Sequence, residues 1–433
     1  MEDFQLVVTE QGLPAYVRPT TQFKTITVQL FIDRPFADDY SQFALLPHVL
    51  KRGSVEFPDS LALERRFDQL YGANFEVHTH RLGERHVVEL ELELADPSLL
   101  PDAPALLESG LDTLAGLLLR PYLEQGVFSQ DYLEQERESQ IRAIQSIFND
   151  KADYAHQRCL QEMFKGDPYA RLPLGDLEQV PQITAAGLRQ FHQRILQDAH
   201  FQLFITGNLT PKQVQDCCNR VFKQPLGAPR PAAARGQLPA GRHAPLEVVE
   251  EQPVAQGKLV LAYRTGISRQ DPLFFALMVY NGILGAFSHS KLFQNVRERA
   301  SLAYYCVSQL EAAKGLVMVE AGIAAEKLTA TRDIIRQQLD CMRQGDWTAD
   351  EWEKTTLALI SQLQGLADRP GRHALTHFDR LLSGVSYSNQ QMIDGIRQVT
   401  REQVLQVARG TELDTAYFLR GTAQDEENAD ENY

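Results

Sequence analysis

The stretch Leu284-Gly-Ala-Phe-Ser-His-Ser-Lys-Leu-Phe-Gln-Asn-Val-Arg-Glu-Arg-Ala-Ser-Leu-Ala-Tyr-Tyr305 decides how the chain folds. Lys291 to Arg299 reads as a helix that leads into a strand, Leu302 to Gln309. A turn at Gly315 follows, then a second strand, Leu316 to Gly322. Toward the N-terminus, a strand at Leu259–Tyr263 precedes an apolar helix pattern over roughly Pro272 to Leu284. Toward the C-terminus the chain is helical from Leu328 to Leu366. It then has a helix over Ile393–Ala408 and a last strand, Thr415 to Leu419.

The first half repeats this order. The strand Ile26–Ile32 alternates apolar and polar residues, and a helix covers roughly Tyr40 to Lys51. Leu61 to Ala73 is a helix leading into a strand, a turn at Gly83 and the strand Val87–Leu94. Helical sequence from Asp131 to Phe164, a helix at Ile183–Ile195 and a strand at Phe201–Thr206 complete the series. The economical inference is an internal duplication of one α+β unit of about 200 residues. Val88, Leu90, Leu92 and Leu94 alternate with Glu89, Glu91 and Glu93. That pattern predicts a mostly antiparallel sheet with helices on one face and water on the other.

The full 433 residues are 43% hydrophobic and 23% charged, the balance of a globular protein. The predicted domains are residues 1–224, with a linker at 225–246, and 247–422, with an acidic tail at 423–433. The linker is rich in Pro, Gly and Ala and shows no apolar period. Acids outnumber bases 57 to 43, a net charge of −14. This excludes a general nucleic-acid binder and argues against docking on anionic membranes. No apolar run approaches the roughly 20 residues of a bilayer span. The opening MEDFQLVV has no basic region of the signal-peptide kind. Five cysteines without a C-x-x-C pair suit a reducing compartment, so the expected location is cytoplasmic.

The order of elements resembles the insulinase/pitrilysin metallopeptidase family, which includes the mitochondrial processing peptidases. Leu284–Tyr305 is similar to that family's second-half signature, L-G-x-x-x-x-S-[RK]-L-F-x-x-[LV]-R-[ED]-x-x-x-L-A-Y. Gly175–Val180, Ile183-Thr184 and Ile205-Thr-Gly207 match shorter family patterns. The resemblance implies two homologous domains arranged as a clamshell around a peptide.

Active members carry an inverted motif, H-x-x-E-H, on the first long helix. Two histidines one turn apart hold zinc, and the glutamate acts as base for the zinc-bound water. A later helix supplies a third ligand in the pattern E-x-x-x-x-x-x-E. Here the aligned stretch is Phe43-Ala-Leu-Leu-Pro-His-Val-Leu-Lys-Arg-Gly-Ser54. Ala44 stands at the first histidine, Pro47 at the base, and only His48 remains. In the later helix Glu136 is present, but Ala143 stands where the ligand would be. No zinc is therefore expected in this chain. Proline inside a helix also costs roughly 3 kcal/mol, so a kink or a helix start is expected at Pro47.

The resemblance assigns substrate holding to an arginine and a tyrosine seven residues apart, matched by Arg297 and Tyr304. A guanidinium offers a fixed fork of donors, and a phenol can donate to an oxyanion. The bland alternative is a surface ion pair and a half-buried strand tyrosine. The implied function is a catalytically degenerate subunit, paired with a zinc-bearing paralogue and binding unfolded peptide. A homodimer in isolation is also possible on this reading. Leu45-Leu-Pro-x-Val-Leu50 is similar to a bacterial subgroup connected with 5-aminopentanol modification of elongation factor P.

Two alternatives stand beside this reading. One is a structural or assembly protein like the core subunits of respiratory complexes. The other is an enzyme with a relocated metal site on a hairpin carrying His78, His80 and His86. The Glu89, Glu91 and Glu93 row reads as a solvated face, or as an attractor of basic peptides if it lines a chamber.

Overall fold

The computed structural model describes residues 4–101, 105–230, 238 and 244–421. The first sheet has β1 (Gln5–Val8), β2 (Pro14–Pro19), β3 (Thr25–Pro35), β4 (Asn74–Leu82), β5 (Arg85–Ala95) and β6 (His200–Gly207), in the order β1-β2-β6-β3-β5-β4. The second has β7 (Leu246–Glu251), β8 (Gly257–Arg264), β9 (Ala303–Glu311), β10 (Leu316–Ile323) and β11 (Glu412–Arg420), in the order β7-β11-β8-β10-β9. Set side by side, β2-β6-β3-β5-β4 and β7-β11-β8-β10-β9 have one connectivity. In each, a single parallel pair, β2 with β6 or β7 with β11, joins an otherwise antiparallel sheet. The duplication read from the sequence is thus a duplication of topology. β1 is an addition to the first unit, hairpinned onto β2.

Each sheet buries one alternating set against helices. Ile26, Val28, Leu30 and Ile32 of β3 join Val88, Leu90, Leu92 and Leu94 of β5 under the helix Leu106–Leu119. Leu259, Leu261 and Tyr263 of β8 join Val317 and Val319 of β10 under the helix Leu328–Gln344. At roughly 1.5–3 kcal/mol for each large apolar side chain removed from water, these two layers hold the fold.

The opposite faces differ from expectation: neither is open to water. Val260, Ala262, Leu316, Met318, Tyr417 and Leu419 pack against Ala155, Cys159, Leu160 and Met163 of the helix Lys151–Met163. On the first sheet, Phe31 stacks on Phe378 of the helix Pro370–Leu382 at 4.4 Å, and the Gln29 Nε2 donates to the Gly371 carbonyl at 3.1 Å. Two compact units result. One comprises the described residues of Met1–Gln145, Leu172–Ala232 and Arg369–Phe378. The other comprises those of Ser146–Arg171, Ala233–Asp368 and Asp379–Tyr433. A division at 225–246 therefore misplaces two segments, because each supplies the apolar cover that the other half's sheet lacks.

The 225–246 segment begins in contact with the first unit. Gly227 and Ala228 donate to the carbonyls of Leu196 and Ala199 at 2.8 and 2.9 Å. Residues 231–237 and 239–243, and the acidic tail at 423–433, lie outside the described residues. No described helix is long and apolar enough to cross a membrane.

Candidate functional site

The degenerate motif lies on the helix Tyr40–Leu50. Pro47 neither starts nor ends it: the helix runs on for most of a turn, and the Lys51 N–H donates to the Pro47 carbonyl at 3.0 Å. Packing on β5 outweighs the lost Pro47 N–H, since Phe43, Ala44, Leu45, Leu46 and Pro47 are all buried. Ala44 is wholly inaccessible to solvent. His48 is the sole donor left at the motif positions. Burial, then the charges of Lys51 and His78, pull its pKa down to about 4, so it is neutral at pH 7. On the helix Gln130–Asn149, Glu136 is held by the Arg52 guanidinium, and Ala143 offers no donor atom. Two methyl groups and a pyrrolidine ring supply no electron pair, so these positions do not fit zinc. Among the described residues no group of three His, Cys, Asp or Glu converges as a metal-ligand set.

The Arg297 and Tyr304 pair lies in the other unit. Phe293–Arg299 is a π-helical segment, as is Gly282–Ala286 before it. Such segments arise where tertiary contact overrides the α register. Gly285 shows the contact: a Cβ there would lie 2.6 Å from the Ser308 hydroxyl and 2.7 Å from the Ser308 backbone nitrogen. Arg297 projects into solvent with its guanidinium carbon 4.7 Å from the Phe293 ring centre and its Nε 3.6 Å from Glu298. Tyr304 stands on β9, an edge strand, and is 65% exposed. Its neighbour Tyr305 points to the other face, beneath Lys258 at 5.5 Å. Burial, with Glu320 nearby, pushes the Tyr305 phenol well above its ordinary pKa. Phe293 was not legible as part of this site, although its i,i+4 spacing to Arg297 is the signal that could have marked it.

A chain with this arrangement has close relatives. It is 36% identical over 415 residues, 95% of its length and 96% of the relative's, to a Bacillus subtilis protein named probable inactive metalloprotease YmfF. The chain belongs to the peptidase M16 family. Residues 182–359 match the family model described as the peptidase M16 inactive domain. A conserved protein from Enterococcus faecalis superposes with a TM-score of 0.89 at 26% identity, covering 97% of this chain and 99% of that one. A peptidase M16 inactive domain from Pseudomonas fluorescens shares the fold, with a TM-score of 0.77 at 20% identity and 98% of each chain covered. The insulinase/pitrilysin resemblance read from Leu284–Tyr305 is this family, and the α+β architecture is its fold.

In this M16 chain the hairpin histidines do not form a third site. His78 and His80 share a face of β4, with ring centres 6.2 Å apart. His86 lies on the opposite face of the sheet, stacked on Phe36 at 4.4 Å, with its Nε2 2.8 Å from the Pro173 carbonyl. Parity explains this: in β5, position 86 shares the core face with Val88 and Leu90. The relocated metal site is thereby overturned. The glutamate row is also not a solvated face. Glu89 is buried; although burial works to raise its pKa, hydrogen bonds with His80 at 2.7 Å and with the Gln29 amide hold it below the ordinary carboxylate range. Glu91 is pushed up to about 7 by burial and by Glu89, Glu76 and Glu93. Cross-strand neighbours therefore share one buried polar cluster, which alternation alone could not reveal.

Proposed function

We propose that this M16 chain is the non-catalytic subunit of a two-chain peptidase. A paralogue with an intact H-x-x-E-H motif supplies zinc, and Arg297 and Tyr304 hold an unfolded peptide beside it. The observation that carries this reading is Tyr304, a large aromatic left 65% exposed on an edge strand, with Arg297 on the π-helical segment just before it. The alternative of a half-buried tyrosine predicts far less exposure. Ala44, Pro47 and Ala143 support the division of labour, since a chain without donors there needs its zinc chemistry from elsewhere. The guanidinium fork suits a peptide carbonyl or carboxylate, and the phenol suits the oxyanion formed when water attacks. The acidic composition and unpaired cysteines support a cytoplasmic location for the pair.

The test is to mix the chain with its zinc-bearing paralogue and follow cleavage of an unstructured peptide. The mixture should exceed the paralogue alone. Tyr304→Phe and Arg297→Ala should each lower kcat/KM about 10²–10³-fold, the effect of removing one transition-state donor. No gain on mixing, or full activity in both variants, rejects the proposal.

A further inference from the structure

The face of the first sheet opposite its helical core holds a charge cluster that the peptidase reading does not use. Asp33 of β3 is completely buried and receives two guanidinium groups. Arg85 of β5 gives its Nε to Asp33 Oδ2 at 2.8 Å. Arg230, in the segment that leaves the first unit, gives its Nη2 to Asp33 Oδ1. Two cations on one anion leave a net positive charge in a site where the Arg85 and Arg230 side chains are only 21% and 19% exposed. Such an imbalance is costly away from water. Burial pulls the Arg230 pKa down; Asp33 works to raise it, and the like charge of Arg85 adds a smaller downward push.

The hydrogen bonds are also unbalanced. Among the described residues, Arg230 Nε and Nη1 are buried and have no acceptor. The guanidinium carbon lies 5.2 Å from the Phe378 ring centre, a contact that holds the group in place. A buried donor without an acceptor gives up the hydrogen bond it made to water, a larger loss on a charged group. One ligand class removes both deficits, a compact oxyanion with several acceptor oxygens.

We propose that Arg230 and Arg85, gathered on Asp33, form a binding site for a second oxyanion, a carboxylate or a phosphate. The proposal does not depend on the peptidase-subunit reading, since it involves neither Arg297 nor Tyr304.

The probes are inorganic phosphate, N-acetylglycine and its neutral amide, added to the full chain at constant ionic strength. Thermal unfolding should shift saturably upward, by about 2 °C or more at tenfold excess over Kd, with phosphate or acetylglycine and not with the amide. The stronger of the two oxyanions identifies the source. Arg230→Gln should abolish the shift, whereas Arg220→Gln, an exposed arginine elsewhere on the same unit, should keep it. If Arg230→Gln does not fold, arginine Nε–Hε NMR on the wild type replaces it: the Arg230 resonance should move with the same saturation curve. No shift beyond that of chloride, a shift equal for the amide, or a shift that survives Arg230→Gln overturns the site.

Discussion

Phe378→Ala tests the least expected feature of the fold, the packing of residues 369–378 on the first sheet. Phe378 is fully buried, stacks on Phe31 with 8° between ring planes, and meets Phe204 edge-on at 6.1 Å. Truncating a buried phenylalanine costs about 3–5 kcal/mol. Loss of the Arg230 contact adds about 0.5–1 kcal/mol. A total of about 3.5–6 kcal/mol, at about 2–4 °C per kcal/mol for a unit of this size, lowers Tm by roughly 7–24 °C. Far-UV circular dichroism should record the shift. Tryptophan fluorescence isolates the second unit, since Trp347 and Trp352 both belong to it. Phe31→Ala and the double variant complete a cycle. Stacked rings in contact should couple by about 0.5–1.5 kcal/mol, so the double variant should lose less than the sum of the singles. A loss under 1 kcal/mol for Phe378→Ala, or strict additivity with Phe31→Ala, would show that the segment does not pack there.

Two further expectations follow from buried groups. His48 and His192 have pKa values lowered to about 4, and His86 to about 3, all chiefly by burial. Each is neutral when folded and takes up a proton near pH 6.5 when unfolded. Their stability contribution is therefore complete above 6.5 and is lost as pH falls toward 4, about 2 kcal/mol per histidine between pH 7 and 5. Urea midpoints should fall over that interval, and His86→Phe should flatten the fall by about one histidine's share; an unchanged slope contradicts the assignment. Gly285→Ala forces a methyl against the Ser308 backbone nitrogen, which cannot rotate away, and should cost about 1–3 kcal/mol by chemical denaturation. A neutral result would show that the π-helical segment yields freely.

Much of the fold was legible because its signals are local. The helix Ser60–Gln69, capped by the Asp59 side chain, runs into β4 and the turn at Gly83, as its period and turn residue predict. The same holds for β9, Gly315 and β10. Short edge strands such as β1 and β7 were not seen, since four to six residues on a sheet margin carry little alternation. Ile393–Ala408, read as one helix, is two, Asn389–Arg397 and Arg401–Gly410, divided where Thr400 begins a new capping box. The assignment of Lys151–Met163 to the second sheet was beyond reach for a different reason. Amphipathic spacing states that a face is buried, not which surface buries it.

The candidate site shows the same limit at the level of single side chains. The positions of Arg297 and Tyr304 are legible from spacing, but their presentation depends on a hydrogen-bond register that no periodicity encodes. In an α-helix, residues 293 and 297 stack along one stripe of the surface. Phe293–Arg299 is instead π-helical, so each residue turns less about the axis, which leaves Arg297 over Phe293 with its guanidinium carbon 4.7 Å from the ring centre. Gly285 sits against Ser308 of β9, a contact only a glycine permits, and that strand carries Tyr304. The glycine, the altered register and the exposed tyrosine thus form one mechanical unit within the signature. A methyl group at 285 should disturb the peptide binding proposed for Arg297 and Tyr304 as well as stability.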